Sequence, residues 1–263
     1  GVKNAIQLAR ETLKENGKVF SLGPIIHNSD VVNELAAAGL ETVESIDDVG
    51  QGTILIRSHG ATREEINNIQ NRGLKIADAT CVLVKRVQKI TQELNNEGYK
   101  VIVIGDKDHP EVRAIVGSSE NVDVIGGIED LDRLSGHSKL GVLCQTTQSP
   151  DFFGKMVHEI IKKGFSELKV INTLCREAIK RQKSAVDLCK KVDIMFVLGG
   201  LHSANTIKLA ELCKKYNNQT FHLQNWQELD TNALYGKKIA GVTAGASTPD
   251  RVIDEFAEKL RAI

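Results

Sequence analysis

Short apolar runs, rich in β-branched residues, alternate along the whole chain with longer amphipathic segments. Runs of this kind are typical of strands that helices bury on both faces. The predicted strands cover residues 18–22, 53–57, 75–77, 100–104, 122–125, 140–143, 168–171, 194–198, 220–223 and 238–242. The predicted helices include an opening helix from residue 1 to about residue 16, then 30–38, 63–72, 85–97, 151–163, 176–190, 204–216 and 250–262. Strands that alternate with helices predict an α/β protein with mostly parallel sheets.

Polar turns that carry reactive side chains follow eight of the predicted strands. In an open α/β sheet the carboxyl ends of parallel strands lie on one side, and ligands bind there. We therefore expect the turns to converge on one site that can bind an anion and support redox chemistry. The turns occupy residues 26–28, 57–60, 78–81, 106–111, 144–147, 172–175, 202–205 and 243–247.

Two of these turns resemble each other. Cys81 and Cys175 each follow a strand and a polar Thr-containing segment, and each precedes a basic helix. This correspondence predicts a pseudo-repeat of three α/β units, each lending a turn to a common centre. The opening helix has no preceding strand and turn, so we expect the first turn of the set to lie upstream of Gly1.

Composition limits the possible partners. The 263 residues are 41% apolar and 26% charged, and the formal net charge is zero. A strongly basic nucleic-acid footprint is therefore absent, and any anion site must be local. No apolar run is long enough to span a bilayer. Five cysteines, an odd number, do not predict a secreted disulfide framework. We expect a cytoplasmic protein that binds neither nucleic acid nor membrane.

The cysteines divide by position. Cys81 and Cys175 lie in strand-end turns, where thiolates could reach a shared metal or cluster; buried inert thiols are the alternative. Cys189 and Cys213 fall within predicted helices and are expected in the core. Cys144 ends a strand and is expected in the core, although it could also be an additional ligand.

Histidines and hydroxyls suggest an anion site. His27, His59 and His109 occupy equivalent turns, where imidazoles beside free backbone N–H groups could bind a phosphate or diphosphate. The alternative for each is a surface or capping role, and His222 is expected to be structural. The hydroxyl and amide groups of these turns suit phosphate oxygens, or else simple N-caps. They belong to Thr146, Thr147, Ser203, Asn205, Ser247 and Thr248.

Glu111 follows His109 and Pro110 at a predicted helix start. Close to an anion and away from water, its carboxyl group would hold its proton and could deliver it. The alternative is a helix N-terminal glutamate favoured by the helix dipole. No G-x-G-x-x-G or Walker motif is present, so no nucleotide cofactor is predicted.

Together these segments resemble the 4-hydroxy-3-methylbut-2-enyl diphosphate reductase family, the last enzymes of the non-mevalonate isoprenoid route. The resemblance covers essentially the whole chain, in order. Its motifs are Gly1-Val2-Lys3-x-Ala5-Ile6, Leu22-Gly23-Pro24-Ile25-Ile26-His27-Asn28, Ile56-Arg57-Ser58-His59-Gly60, Asp78-Ala79-Thr80-Cys81, Ile104-Gly105-Asp106-Lys107-Asp108-His109-Pro110-Glu111-Val112, Gln145-Thr146-Thr147, Asn172-Thr173-Leu174-Cys175 and Thr243-Ala244-Gly245-Ala246-Ser247-Thr248-Pro249-Asp250.

The resemblance implies a trefoil-like arrangement of three α/β domains around a central [4Fe–4S] cluster. The domains would cover residues 1–80, 81–172 and 173–263. The family pattern makes Cys81 and Cys175 cluster ligands, with a third cysteine two residues upstream of Gly1. It makes Glu111 the proton source, assisted by Thr146. The diphosphate ligands would be His27, His59, His109, Ser203, Asn205 and Ser247.

The implied reaction is a two-electron, two-proton reductive dehydroxylation of the allylic diphosphate, which gives isopentenyl and dimethylallyl diphosphate. Ferredoxin or flavodoxin would supply the electrons. The chain departs from the family at Val82, where proline is usual, at Ala204, where a second serine is usual, and in the basic segment after Cys175. Two alternatives therefore stay open: a non-catalytic diphosphate-binding relative without the cluster, and a hydro-lyase that uses a cluster as Lewis acid.

Overall fold

The computed structural model describes residues 1–15, 17–26, 28–134 and 138–263. Helices and strands alternate through these residues, as the hydrophobic pattern predicts. The helices are α1 (Val2–Glu15), α2 (Ser29–Ala37), α3 (Arg63–Asn71), α4 (Val82–Asn96), α5 (Pro110–Val116), α6 (Pro150–Ile161), α7 (Arg176–Cys189), α8 (Ala204–Tyr216) and α9 (Asp250–Arg261). The strands are β1 (Val19–Leu22), β2 (Leu40–Val43), β3 (Thr53–Ile56), β4 (Lys75–Asp78), β5 (Lys100–Ile104), β6 (Val122–Ile125), β7 (Lys139–Cys144), β8 (Glu167–Val170), β9 (Ile194–Leu198), β10 (Thr220–Leu223) and β11 (Ala240–Ala244).

The strands form three small sheets, and every pairing between neighbouring strands is parallel. The strand orders are β2-β1-β3-β4, β6-β5-β7-β8 and β10-β9-β11. The second strand in each of these orders is the first of its sheet along the chain. Because the strands of a sheet are parallel, the polar turns that follow them lie at one edge of that sheet. Three α/β units with parallel sheets confirm the predicted fold class.

Contacts group the chain into two compact units. The first unit comprises Gly1, Lys3–Ile25 and Ala38–Arg176, and it contains the first two sheets. The second unit comprises Val2, Ile26–Ala37 and Glu177–Ile263, and it contains the third sheet. Helix α2 belongs to the second unit, although it connects two strands of the first. The domain limits at 80 and 172 and the trefoil-like arrangement around a cluster stay predictions.

The central strands are buried on both faces, which explains their uninterrupted apolar runs. All five residues of β9 are fully buried. Met195 and Val197 pack with residues of α7 and α8, whereas Phe196 packs with Phe256 of α9. In the second sheet, Val101 and Val103 of β5 pack against α4 and α5. Each sheet therefore has its own apolar core. No described helix is both long enough and apolar enough to cross a membrane.

One strand was not predicted, and two other elements begin two or three residues away from their predicted starts. Strand β2 was not predicted, because only Leu40 of its four residues is buried and the apolar pattern is correspondingly weak. Helix α4 begins at Val82 rather than 85. Strand β11 begins at Ala240 rather than 238, because the carboxylate of Asp193 accepts hydrogen bonds from the N–H groups of residues 238 and 239, at 2.8 and 2.9 Å.

Candidate functional site

Glu111 and Thr146 meet at the carboxyl edge of the second sheet. Glu111 lies in the first turn of α5 and Thr146 follows β7. One carboxyl oxygen of Glu111 accepts the N–H of Thr146 at 2.7 Å, and the other accepts its hydroxyl at 2.9 Å. Both residues are buried, with 3% and 5% of their surface exposed. The acid is thus held in one orientation, away from bulk water.

A buried glutamine holds the two turns together. Gln145 is fully buried, and its side-chain oxygen accepts the N–H of Asp106 at 3.1 Å. A Cβ atom on Gly105 would lie 2.8 Å from the Cβ of Gln145, so only glycine permits this approach. Sequence reasoning assigned no role to Gln145. The sequence offered one signal, the position of Gln145 directly after a buried strand. An amide buried there needs polar partners, which indicates a role in fixing the turns.

Two of the three predicted histidines lie close together. The rings of His59 and His109 meet edge to face, with centroids 5.4 Å apart. His109 also caps α5, where its Nδ1 accepts the N–H of Glu111 at 3.1 Å. The expected alternative of a capping role is therefore observed for His109. His27 lies outside the described residues.

Cys81 ends the turn after β4 and occupies the N-cap position of α4, where its side chain makes no capping hydrogen bond. Its N–H donates to the carbonyl of Ser58 at 3.0 Å. The backbone of Gly1 lies against it, because a Cβ atom on Gly1 would be 3.0 Å from Cys81 Sγ. The thiol is partly exposed and stands at the N-terminus of α4.

The turn before Cys81 is stabilised by Asp78. Its carboxylate accepts the N–H of Thr80 at 2.9 Å and pairs with Lys85 Nζ at 2.6 Å. Burial opposes ionisation of this carboxyl group, but the hydrogen bonds from Lys85 and Thr80 outweigh it and lower the pKa of Asp78 below its ordinary value. The pair thus ties the end of β4 to the first turn of α4.

Cys175 lies directly beside the Thr146 turn. Its N–H donates to the carbonyl of Thr146 at 2.7 Å. Like Cys81, it is partly exposed, whereas the other three cysteines are buried. Cys189 and Cys213 lie in the core, as expected from their helical positions, and Cys144 is fully buried at the end of β7. The chain therefore has two accessible thiols, both in strand-end turns.

The second compact unit has a separate group of polar side chains around the N-termini of α8 and α9. Ser203 is the N-cap of α8 but makes no capping hydrogen bond with its side chain. Three buried polar atoms there lack a hydrogen-bond partner among the described residues: Asn205 Nδ2, Thr206 Oγ1 and Ser247 Oγ. Buried polar atoms are rarely left unsatisfied, so this group suits a polar ligand. Simple N-capping does not explain Ser203 or Ser247.

Two glycines allow this polar group to form. Gly199 has φ +142°, and a Cβ atom there would lie 2.7 Å from Thr248 Oγ1 and 2.9 Å from Thr206 Oγ1. Thr206 also lies against Gly245. Sequence reasoning did not single out Thr206, because a threonine inside a helix gives no pattern of its own. His222 bonds the carbonyl of Gly199 at 3.0 Å through Nε2, in accordance with its predicted structural role.

The described residues contain no cluster of three or more His, Cys, Asp or Glu side chains that could by itself hold a metal ion. The two accessible thiols, the buried acid and the polar group around α8 and α9 all lie at carboxyl ends of parallel strands. Such an arrangement is typical of an α/β enzyme whose site is built from strand-end turns. The expected convergence of all eight turns on one centre stays a prediction.

Comparison with known proteins identifies the class. Residues 1–261 match the LytB protein family, and the chain belongs to that family. A relative from Geobacter sulfurreducens, named 4-hydroxy-3-methylbut-2-enyl diphosphate reductase, is 44% identical over 262 residues, covering 99% of this chain and 93% of the relative. A relative of the same name from Aquifex aeolicus is 39% identical and covers 100% and 92% of the two chains.

Solved structures agree. The structure of (E)-4-hydroxy-3-methyl-but-2-enyl diphosphate reductase matches with a TM-score of 0.77 and 38% identity, over 100% of this chain and 95% of that one. The Plasmodium falciparum E-1-hydroxy-2-methyl-but-2-enyl-4-diphosphate reductase matches with a TM-score of 0.92 and 28% identity, over 98% and 83%. The family resemblance seen in the sequence is confirmed.

Proposed function

We propose that this chain reduces 4-hydroxy-3-methylbut-2-enyl diphosphate to isopentenyl and dimethylallyl diphosphate. The allylic C–O bond breaks, two electrons and two protons are consumed, and the hydroxyl leaves as water. The observation that carries the proposal is the buried Glu111 carboxyl, which Thr146 holds in place through two hydrogen bonds. Membership of the LytB family and the names of the relatives support it.

Glu111 is the proposed proton source. A buried acid in one fixed orientation can deliver a proton to a leaving hydroxyl, provided that the acid is protonated when substrate is bound. The Thr146 hydroxyl can donate its hydrogen bond either to Glu111 or to the substrate hydroxyl. It can therefore switch from the acid to the substrate when the substrate binds. This assigns the acid to Glu111 and orientation of the leaving group to Thr146.

The diphosphate is the proposed ligand of two sets of residues. His27, His59 and His109 supply imidazoles, and Ser203, Asn205 and Ser247 supply hydroxyl and amide donors. The unsatisfied Asn205 Nδ2 and Ser247 Oγ support the second set, because an anion accepting their hydrogen bonds would remove the cost of leaving them unpaired. Helix N-termini add backbone N–H groups and a favourable dipole.

A [4Fe–4S] cluster is the proposed cofactor. The donor chemistry fits, because Cys81 and Cys175 are the two accessible thiols and thiolates are the usual ligands of such clusters. The third ligand would come from the segment before Gly1, whose backbone lies against Cys81 Sγ. When bound, the cluster would supply the electrons for C–O cleavage. Ferredoxin or flavodoxin is the proposed external donor, and a cytoplasmic location stays a prediction.

The test is anaerobic reconstitution of the cluster in the full-length protein. Iron and sulfide are counted, and substrate is incubated with and without dithionite. The proposal predicts both isoprenoid products only with reductant. Loss of water from the substrate without reductant, giving a product with two fewer hydrogen atoms than the isoprenoid diphosphates, would indicate a hydro-lyase. Diphosphate binding with no turnover, despite a full complement of iron, would indicate a non-catalytic relative.

A further inference from the structure

Helix α7 carries an exposed basic face that begins directly after Cys175. Arg176, Lys180 and Lys183 are spaced by four and three residues, which places them on one side of the helix. All three are exposed. Lys180 lies only about 7 Å along the helix axis from Cys175, given a rise of roughly 1.5 Å per residue. A row of cations therefore runs outward from one proposed cluster ligand.

These three cations are not held in ion pairs. Within the described part of the chain, none of the three side chains forms an ion pair with an acidic group. The basic helix that follows Cys81 is different, because its Lys85 pairs with Asp78 at 2.6 Å and its Lys89 with Glu93 at 3.6 Å. Helix α7 has four basic side chains and two acidic ones, Glu177 and Asp187, so it carries a formal charge of +2 in a chain whose formal net charge is zero.

The proposed reaction needs electrons from outside. It consumes two electrons per turnover, and the sequence carries no nucleotide-binding glycine motif through which a bound nicotinamide could supply them. A protein carrier must therefore come close to the cluster thiolates and leave again after each transfer. Complementary surface charge raises the association rate of such short-lived complexes more than it raises their affinity.

We propose that the α7 face, formed by Arg176, Lys180 and Lys183, is the docking surface for an acidic one-electron carrier protein. The inference rests on the proposed function. Two reduced carriers dock in succession, each gives one electron to the centre held by Cys175, and each leaves oxidised. The two electrons and two protons then convert the substrate to product and water. The excess of positive charge on this face specifies an acidic carrier, because complementary charges attract.

The test reverses charge on the two lysines that do not adjoin Cys175. The variant K180E/K183E is compared with the wild-type holoenzyme and with K155E/K214E, which makes the same charge change at exposed lysines on α6 and α8. Turnover is measured with reduced flavodoxin as the acidic carrier and, separately, with reduced methyl viologen. Each is repeated from low to high salt, because screening weakens the docking of surface charges.

The expected result is a fall of roughly tenfold or more in kcat/KM for flavodoxin at low salt, a flatter salt dependence, and viologen-driven turnover within about twofold of wild type. The control variant should keep the flavodoxin rate. An equal loss with both reductants, or an equal loss in K155E/K214E, would overturn the docking surface. Wild-type enzyme inactive even with methyl viologen would instead refute the proposed function, and the docking surface with it.

Discussion

Glu111 accepts two hydrogen bonds from one residue, Thr146, through the backbone N–H at 2.7 Å and the hydroxyl at 2.9 Å. The carbonyl of the same threonine accepts the N–H of Cys175 at 2.7 Å. Thr146 thus connects the proposed proton source to a proposed cluster ligand through consecutive polar groups. A small shift of this turn would move both, so the activity should depend on the threonine hydroxyl as well as on the acid.

Two replacements of Thr146 distinguish the contribution of its hydroxyl to activity from that of its backbone N–H. Thr146→Val keeps the shape and the N–H bond but removes the hydroxyl donor, whereas Thr146→Ser keeps both. We expect kcat to fall by roughly fivefold to a hundredfold in the valine variant, since a buried polar group that loses its hydrogen bond costs about 1–3 kcal/mol. The serine variant should stay within a few-fold of wild type. Equal kcat values in the two variants would show that the hydroxyl is not used.

The unsatisfied hydroxyl of Ser247 predicts opposite effects on stability and binding. Because Ser247 Oγ has no partner among the described residues, Ser247→Ala should leave the Tm unchanged or raise it slightly. The same change should weaken inorganic pyrophosphate binding about tenfold, for the loss of roughly 1–1.5 kcal/mol. Titration calorimetry and thermal unfolding measure both, with exposed Ser184→Ala as control. A lower Tm with unchanged pyrophosphate affinity would support a purely structural role.

The Asp78–Lys85 pair predicts a pH dependence of stability. The pKa of Asp78 is lowered from an ordinary 3.8, so its contribution is complete above the ordinary value and is lost as pH falls through the lowered one. Both side chains are substantially exposed, which limits the contribution to about 0.5 kcal/mol. Asp78→Asn should therefore lower the free energy of unfolding more at pH 6 than at pH 2. Urea titrations at both pH values check this; an equal deficit at both would contradict it.

Thiol labelling should distinguish the two partly exposed cysteines from the buried ones. Burial, together with the hydrogen bond that Cys213 donates to Cys189, raises the pKa of Cys213 to about 12, so almost no thiolate exists near pH 8. Iodoacetamide should modify Cys81 and Cys175 in the folded, cluster-free chain and leave Cys189 and Cys213 unmodified until urea is added. Mass spectrometry of peptides gives the order directly. Early modification of Cys213 would show that this core opens in the folded state.

Two glycines give a matched pair of stability predictions. Gly105→Ala places a methyl group 2.8 Å from Gln145 Cβ and should cost about 1–3 kcal/mol, with a loss of activity because the Glu111 turn must shift. Gly154 is exposed on α6 with no neighbouring atom within 4 Å of a new Cβ. Gly154→Ala should therefore stabilise the protein by about 0.5–1 kcal/mol. Urea unfolding of both variants tests the sign of each effect.

The sequence predicts most elements because burial leaves a direct trace in it. Strands β5 and β9 are buried on both faces, and their apolar runs mark them clearly. Strand β2 leaves little trace, since three of its four residues are not buried. The helix α2 is predicted as a helix, yet nothing in the sequence indicates that it belongs to the second compact unit.

Site residues could be located to turns but not paired. Glu111 and Thr146 are 35 residues apart, and they meet because β5 and β7 are neighbours in the sheet. Strand order is not encoded in local periodicity, so their contact could not be derived from the pattern. Thr206 and Gln145 were missed for a related reason: each is buried against residues distant in the chain, and only the folded structure shows which ones.

The most direct test of the account compares wild type with Glu111→Gln after identical anaerobic reconstitution. Substrate is incubated with dithionite, and products are measured by mass spectrometry alongside the visible absorption spectrum of the cluster. The account predicts isopentenyl and dimethylallyl diphosphate from wild type. It predicts at least a hundredfold less product from Glu111→Gln, with an unchanged spectrum and unchanged iron content. Full turnover by Glu111→Gln would contradict the assignment of Glu111 as the proton source.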